Sequence, residues 1–185
     1  PTPAVLEGST ALSVTKKVEG AETDAQFDFT LKLTSNNAAN VEGLDENGEM
    51  TASTSGTLAD GSSTPISFGT LTFVEAGEYT FEVTENQGDQ GVNGWTYDES
   101  TYTITVTVSP RNAQDEYDGA LHVNAVSGNN PTFTNSYKAD PDNEDAVDPW
   151  DTLADKSGSP EDAMFVEPEP ENPQVEQVRR VIDEE

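Results

Sequence analysis

Hydrophobic and polar side chains alternate with a period of two along several segments between residues 10 and 138. Because successive residues of a β-strand face opposite sides of a sheet, this alternation is typical of strands with one buried face. The clearest segments run from Leu12 to Val18, Phe27 to Leu33, Tyr79 to Glu85, Tyr102 to Val108, Leu121 to Val123 and Phe133 to Tyr137, and a further strand is predicted from Ile66 to Phe73.

About seven short strands separated by Gly, Asn and Asp predict an all-β fold, specifically an Ig-like β-sandwich with Greek-key connections. Threonine occupies many of the polar positions, which suits the solvated outer face of a sheet. The sequence therefore predicts a sandwich domain over residues 10–138, preceded by an N-terminal linker at residues 1–9.

The composition changes after residue 138. Residues 139–185 hold 16 acidic residues, 3 basic residues and 6 of the 11 prolines, which is typical of an extended linker. We expect an acidic, Pro-rich C-terminal tail there, with a short helix at residues 173–184 that starts from Asn172 and Pro173. The string from Asp140 to Asp145 lacks the glycine and glutamate spacing of a calcium-binding EF-hand loop, so a solvated spacer is the preferred interpretation.

Charge and motif content exclude several functions. With 36 acidic against 8 basic residues, the formal charge of −28 makes nucleic acid and membrane surfaces poor partners. Cysteine is absent, and with it disulfides and cysteine-based metal sites. The chain has no Gly-x-Ser-x-Gly or His-Glu-x-x-His motif, and its one histidine, His122, is predicted to face solvent on a strand. We therefore predict no turnover enzyme, no cofactor and no metal.

Three polar residues occupy the apolar phase of the predicted strands. Lys16 shares a phase with Val14 and Val18, Glu85 ends the series from Tyr79, and Asn135 lies between Phe133 and Tyr137. All three are predicted to point into the core. Their neighbours in the opposite phase are Lys17, Glu82 and Ser136.

Burial of these three groups would prepare them for a reaction. Burial lowers a lysine pKa and raises a glutamate pKa, so a neutral amine and a neutral acid can coexist inside a protein. The Lys16 amine could then attack the Asn135 carboxamide, with Glu85 polarising the amide and moving protons, to form an isopeptide bond and release ammonia.

Aromatic side chains would exclude water from this reaction, and the candidates are Phe81, Phe133 and Tyr137. The alternation alone also permits an unreactive arrangement. In that alternative, the Lys16 ammonium reaches solvent, Glu85 ends its strand in water and Asn135 satisfies a turn.

An ordered set of motifs resembles the streptococcal-type pilin isopeptide-linkage domain over about residues 10–138. The motifs are Val14-Thr-Lys16-Lys-Val18-Glu-Gly20, Phe27-Asp-Phe29-Thr-Leu31, Gly77-Glu-Tyr79-Thr-Phe81-Glu-Val83-Thr-Glu85, Trp95-Thr-Tyr97-Asp98 and Phe133-Thr-Asn135-Ser-Tyr137. The resemblance implies that Lys16 and Asn135 form the bond and that Glu85 is the general acid and base. The Ser- and Gly-rich stretch 51–64 departs from the family pattern, and no convincing polymerisation lysine is present.

The resemblance implies a structural module of a Gram-positive cell-surface pilus or stalk-forming adhesin. Such a module is extracellular and associated with the cell wall, and its partners are neighbouring domains or subunits of a surface fibre or stalk. The alternative is an adhesin domain that binds a host protein or glycan through loops or an outer sheet face, with Trp95, Tyr97 and Tyr117 as candidate contacts.

Overall fold

A computed structural model describes residues 1–86 and 94–139. Within these residues the chain forms twelve strands and two short 3₁₀ turns. The strands are β1 (Ala4–Leu6), β2 (Ser13–Glu19), β3 (Asp28–Leu33), β4 (Val41–Glu42), β5 (Glu49–Ser53), β6 (Ser63–Ser67), β7 (Leu71–Phe73), β8 (Gly77–Glu85), β9 (Trp95–Thr96), β10 (Thr101–Arg111), β11 (Tyr117–Ser127) and β12 (Thr132–Tyr137). Apart from Ala139, the predicted acidic tail and its helix lie outside the described residues.

The strands form three sheets. A five-stranded antiparallel sheet has the order β11-β10-β8-β3-β5, a four-stranded sheet the order β6-β2-β12-β9, and a small sheet the order β1-β7-β4. The predicted all-β fold is confirmed. A search of the described residues for a helix long and apolar enough to cross a membrane finds none.

The core lies between the two larger sheets. Phe29 of β3 and Phe133 of β12 have ring centroids 5.3 Å apart, and Tyr102 of β10 packs edge-on against Phe133 at 5.0 Å. These rings come from opposite sheets, so the two sheets pack face to face as a sandwich. Phe29 and Phe133 are fully buried, as their place in the apolar phase predicts.

The stretch from Ile66 to Phe73 differs from its prediction. It forms two strands instead of one, because β6 ends at Ser67 in the four-stranded sheet and β7 begins at Leu71 in the small sheet. Gly69 lies between them with φ of +108°, a backbone conformation that glycine adopts more readily than other residues. The chain therefore changes sheets at a point that the hydrophobic pattern does not mark.

The N-terminal residues also differ from their prediction. Residues 1–9 were expected to be a linker, but Ala4–Leu6 pairs antiparallel with Leu71–Phe73 as strand β1. The side chains of Ala4 and Leu6 are buried in the core. This part of the segment therefore belongs to the folded domain, and its three residues were too few for a period of two to be recognised.

Strands β2 and β12 come from opposite ends of the domain and pair in parallel. Lys16 lies opposite Phe133, and Val18 lies opposite Asn135. Just beyond β2, Gly20 has φ of +99°, and a Cβ atom there would overlap the Tyr137 carbonyl oxygen. Glycine is thus needed where the chain leaves β2 close to the end of β12.

Candidate functional site

The three predicted site residues come from the two sheets that enclose the core. Lys16 on β2 and Asn135 on β12 point from the same face of the four-stranded sheet, since their register places them as diagonal neighbours. Glu85, at the end of β8, comes from the five-stranded sheet. The exposed fractions are 1% for Lys16, 2% for Glu85 and 0% for Asn135, so the prediction that all three side chains are buried is confirmed.

The three side chains meet at one carboxylate. The Lys16 Nζ atom lies 3.2 Å from Glu85 Oε1 and 3.1 Å from Oε2. Asn135 donates a hydrogen bond of 2.9 Å from Nδ2 to the same Oε2. A single oxygen atom therefore contacts the amine and the carboxamide together. The alternative in which Lys16 and Glu85 reach solvent is wrong, because neither side chain is exposed.

Burial dominates the electrostatics of this site. Burial lowers the pKa of the Lys16 amine, and the charge and hydrogen bonds of Glu85 offset this effect only in part. Burial also raises the pKa of the Glu85 carboxyl, against the opposing effect of Lys16 and of the Asn135 hydrogen bond. Both directions favour transfer of a proton from the ammonium to the carboxylate, which leaves a neutral amine.

The apolar surround includes an aromatic ring that the sequence interpretation did not select. The Phe27 ring lies against the amine, with Lys16 Nζ 4.4 Å from its centroid. Phe133 is opposite Lys16 in the register. Phe81 is buried on β8, but it lies four residues before Glu85, a distance of about 13 Å along a strand. Tyr137 is half-buried and packs on Trp95. The available signal for Phe27 was its place in the apolar phase of the second predicted strand.

A further residue, Asp98, contacts the site and was not selected from the sequence. Its backbone N–H donates a hydrogen bond of 2.8 Å to Asn135 Oδ1. Its carboxylate accepts bonds of 2.9 Å from the backbone N–H groups of Thr134 and Ser100. Burial alone would raise the pKa of Asp98, but these hydrogen bonds, one from the Ser100 side chain and the nearby Lys16 charge hold it below its usual value. The one sequence signal was the position of Asp98 at the end of the Trp95–Asp98 motif.

Of the other candidate residues, Tyr97 packs edge-on against Phe27 with ring centroids 6.0 Å apart, and three lie outside this cluster. His122 is on β11, an edge strand of the five-stranded sheet, and its Nε2 is 2.8 Å from Asp118 Oδ1. Trp95 packs on Tyr137 at 5.4 Å, whereas Tyr117 is 67% exposed beside the Arg111 guanidinium.

A buried amine, carboxyl and carboxamide between the two sheets of a β-sandwich define the class of isopeptide-type β-domains. The family described as "FctA: Spy0128-like isopeptide containing domain" matches residues 12–138, and the chain belongs to this family. The predicted streptococcal-type pilin isopeptide domain is therefore confirmed. Members of this Gram-positive surface-protein family are structural proteins rather than enzymes.

Two solved structures illustrate the similarity. The major pilin from Streptococcus pyogenes is 21% identical, with a TM-score of 0.45, over 69% of this chain and 50% of the pilin. The T-13 major pilin of the same species is also 21% identical, with a TM-score of 0.40, over 72% of this chain and 54% of the pilin. The chain thus spans about half the length of either pilin. A comparison with curated proteins gives no match.

Proposed function

We propose that Lys16 and Asn135 form an intramolecular isopeptide bond, promoted by Glu85, in a load-bearing module of a pilus or stalk-forming surface protein. The observation that carries this proposal is the contact of Glu85 Oε2 with both Lys16 Nζ and Asn135 Nδ2 in the absence of solvent exposure. A buried ion pair with no further purpose is expensive, because both charges lose their hydration.

The reaction follows from the contacts. Proton transfer within the pair gives a neutral Lys16 amine, whose nitrogen attacks the Asn135 amide carbon. Glu85, now protonated, donates its proton to the departing amide nitrogen and takes a replacement proton from the attacking nitrogen. One carbon–nitrogen bond forms, another breaks, and ammonia leaves. The reaction occurs once in each chain, so Glu85 supports no turnover of an external substrate.

The bond would join strands from the two ends of the domain. Closing a loop of more than about 100 residues stabilises a protein by roughly 4–5 kcal/mol, on the analogy of a disulfide. The chain contains no cysteine, so a Lys16–Asn135 bond would supply the covalent reinforcement that disulfides give to other extracellular proteins. In the proposed setting the domain is attached to the cell wall, next to other domains or subunits of the same fibre.

Intact mass spectrometry tests the bond. The purified protein should be lighter than its sequence by one ammonia, and the Glu85→Ala variant should keep the full mass because the proton carrier is lost. Glu82→Ala is the matched control, since Glu82 lies on the same strand with an exposed side chain. A wild-type protein of unmodified mass would contradict the proposal.

A second candidate, recognition of a host protein or glycan, has one surface feature in its favour. Tyr117 is strongly exposed and lies under the Arg111 guanidinium, 4.2 Å from its ring centroid, an arrangement that suits stacking on a ligand. This function is compatible with the cross-link. Saturable binding to a glycan or matrix-protein array that is lost in Tyr117→Ala would support it, and equal binding by the variant would remove Tyr117 from consideration.

A further inference from the structure

The orientation of the Asn135 carboxamide is fixed by a backbone donor. The Asp98 N–H lies 2.8 Å from the amide atom on its side, and a backbone N–H can only donate a hydrogen bond. That amide atom must therefore be the oxygen, and the amide nitrogen must face Glu85, 2.9 Å from Oε2. The alternative orientation would place two donors against each other at Asp98.

This orientation separates two tasks that the sequence interpretation gave to Glu85. The carboxyl group of Glu85 contacts the attacking nitrogen of Lys16 and the leaving nitrogen of Asn135. The oxygen of the carboxamide is instead bonded to the main chain at Asp98. The Asp98 N–H is thus placed to polarise the amide, and the Glu85 carboxyl is placed to transfer protons. The two groups lie on opposite sides of the reacting carbon.

We propose that the Asp98 backbone N–H is the oxyanion donor of the cross-linking reaction and that the Asp98 carboxylate is the group that positions it. This inference rests on the proposed isopeptide function. Negative charge develops on Asn135 Oδ1 when the amine adds, and a preorganised donor at 2.7–3.1 Å stabilises that charge most effectively in a site without water. The observed separation of 2.8 Å lies in this range.

The electron and proton balance is complete with these groups. As the bond from Lys16 Nζ to the amide carbon forms, the carbonyl electron pair moves to Oδ1, which accepts the Asp98 hydrogen bond. One proton leaves Nζ for Glu85, and the proton of the Glu85 carboxyl moves to Nδ2. The oxygen electron pair then restores the carbonyl, the carbon–Nδ2 bond breaks and ammonia leaves. No oxidant, metal or external reactant takes part.

The loop that carries the donor is attached to β12 on both sides of Asn135. The carboxylate of Asp98 accepts a hydrogen bond from the backbone N–H of Thr134, the residue before Asn135. Strand β9 pairs Thr96 with Ser136, the residue after it. Because the Asp98 carboxylate also accepts the Ser100 N–H, it closes a turn around its own backbone. These contacts keep the donor aimed at Oδ1, and a displacement of about 1 Å can slow a positioned reaction about 100-fold.

The test replaces one atom of the main chain. A short pulse of cell-free synthesis of the full chain, with the α-hydroxy acid analogue of aspartate at position 98, exchanges the N–H for an ester oxygen and keeps the carboxylate. Samples are quenched in acid denaturant at intervals, and intact mass gives the fraction that has lost ammonia. A brief protease treatment before the quench restricts the measurement to folded chains. We expect the rate to fall about 10²- to 10³-fold.

The same analogue at position 115 is the matched control. The Asp115 N–H donates to the Asn112 carbonyl at 2.9 Å in a surface turn, so this ester removes an equivalent hydrogen bond outside the site. Its rate should equal that of the wild type. The positioning role has its own variant, Asp98→Asn, which keeps the backbone donor and loses the carboxylate. We expect it to slow the reaction at least about tenfold in folded chains, because the donor is no longer held in place.

The outcomes separate this inference from the proposed function. If the wild type loses ammonia and the folded ester chain reacts at the same rate, the oxyanion role of Asp98 is overturned while the isopeptide function stands. If the wild type never loses ammonia, both are overturned. If the ester chain stays protease-sensitive, it has not folded, and the test then depends on the Asp98→Asn variant. A slower reaction in folded Asp98→Asn chains supports the inference, and a rate equal to that of the wild type overturns it.

Discussion

Lys16 and Glu85 form a hydrogen-bonded pair that the solvent cannot reach, and each residue opposes part of the pKa shift that burial causes in the other. Removing one member of such a pair leaves the other without compensation in a dry core. If Lys16 is removed, Glu85 loses the positive charge and the hydrogen bonds that hold its pKa down, whereas the burial that raises its pKa remains. The carboxyl group should then be protonated in the folded protein at a higher pH than in the unfolded chain.

Lys16→Met should therefore give a pH-dependent stability. A group whose pKa is raised on folding contributes stability that is complete below its unfolded pKa, near 4.5 for Glu85, and is lost as the pH rises through the folded value. The free energy of unfolding in urea, measured between about pH 4 and pH 8, should fall by about 1.4 kcal/mol for each unit of pKa shift.

The reference for this measurement is the double variant Lys16→Met with Glu85→Gln, which has the same core without the titrating carboxyl. The other acidic residues titrate in both proteins, so only the difference between the two variants reports on Glu85. If the two variants differ in free energy of unfolding by the same amount at about pH 4 and at about pH 8, folding does not shift the pKa of Glu85.

At the scale of elements, the parallel pair β2–β12 determines whether the amine and the carboxamide can meet. A slip of this pairing by one residue would move either Lys16 or Asn135 to the other face of the sheet. The end of the pair is closed by Gly20, where a side chain would collide with the backbone of Tyr137. Gly56 also has a positive φ, +74°, but a Cβ atom there meets open space.

We expect Gly20→Ala to cost more stability than Gly56→Ala. Both substitutions strain a positive φ, at a cost of roughly 1–2 kcal/mol. Gly20→Ala should add about 1–3 kcal/mol, because the new methyl group must displace the end of β12. Urea unfolding in an Asn135→Ala background, which cannot cross-link, measures both. Equal losses of stability would mean that the approach of Gly20 to Tyr137 does not hold the strand pair together.

At the scale of the whole molecule, the parallel pairing of β2 with β12 determines how a pulling force would reach the candidate bond. Tension applied at the two ends of the domain first loads the short strand β1, and once β1 has detached from β7 it enters β2 from its N-terminal side and leaves β12 from its C-terminal side. Because the two strands are adjacent and parallel, this tension pulls them in opposite directions along their length and loads their hydrogen bonds in shear. A covalent bond from Lys16 to Asn135 would carry the same load and protect the chain between these residues.

Single-molecule pulling from the two ends of the domain should distinguish the two states. Unfolding of Asn135→Ala should release on the order of 400 Å of chain between residues 16 and 135, since each extended residue spans about 3.3–3.6 Å. The wild type should release none of that length, and Glu82→Ala should behave as the wild type. Full extension of the wild-type chain would contradict a bond between β2 and β12.

The sequence predicted the long strands more reliably than the short ones. Segments such as Tyr79–Glu85 were identified because a run of seven alternating residues exceeds what chance patterns give. Strands β1, β4 and β9 have two or three residues and carry no recognisable period. The break between β6 and β7 was missed for a related reason, since the side-chain pattern does not record which sheet a strand joins.

What the sequence alone determined is which residues form the principal strands and which side chains face the core. Period-two alternation follows from local backbone geometry, so the inward placement of Lys16, Glu85 and Asn135 could be derived without any long-range information. The tertiary structure decided the parallel pairing of β2 with β12, the Phe27 ring against the amine and the Asp98 N–H on the amide oxygen. These contacts join separate segments of the chain, and they depend on strand order and register, which the side-chain pattern of a single strand does not encode.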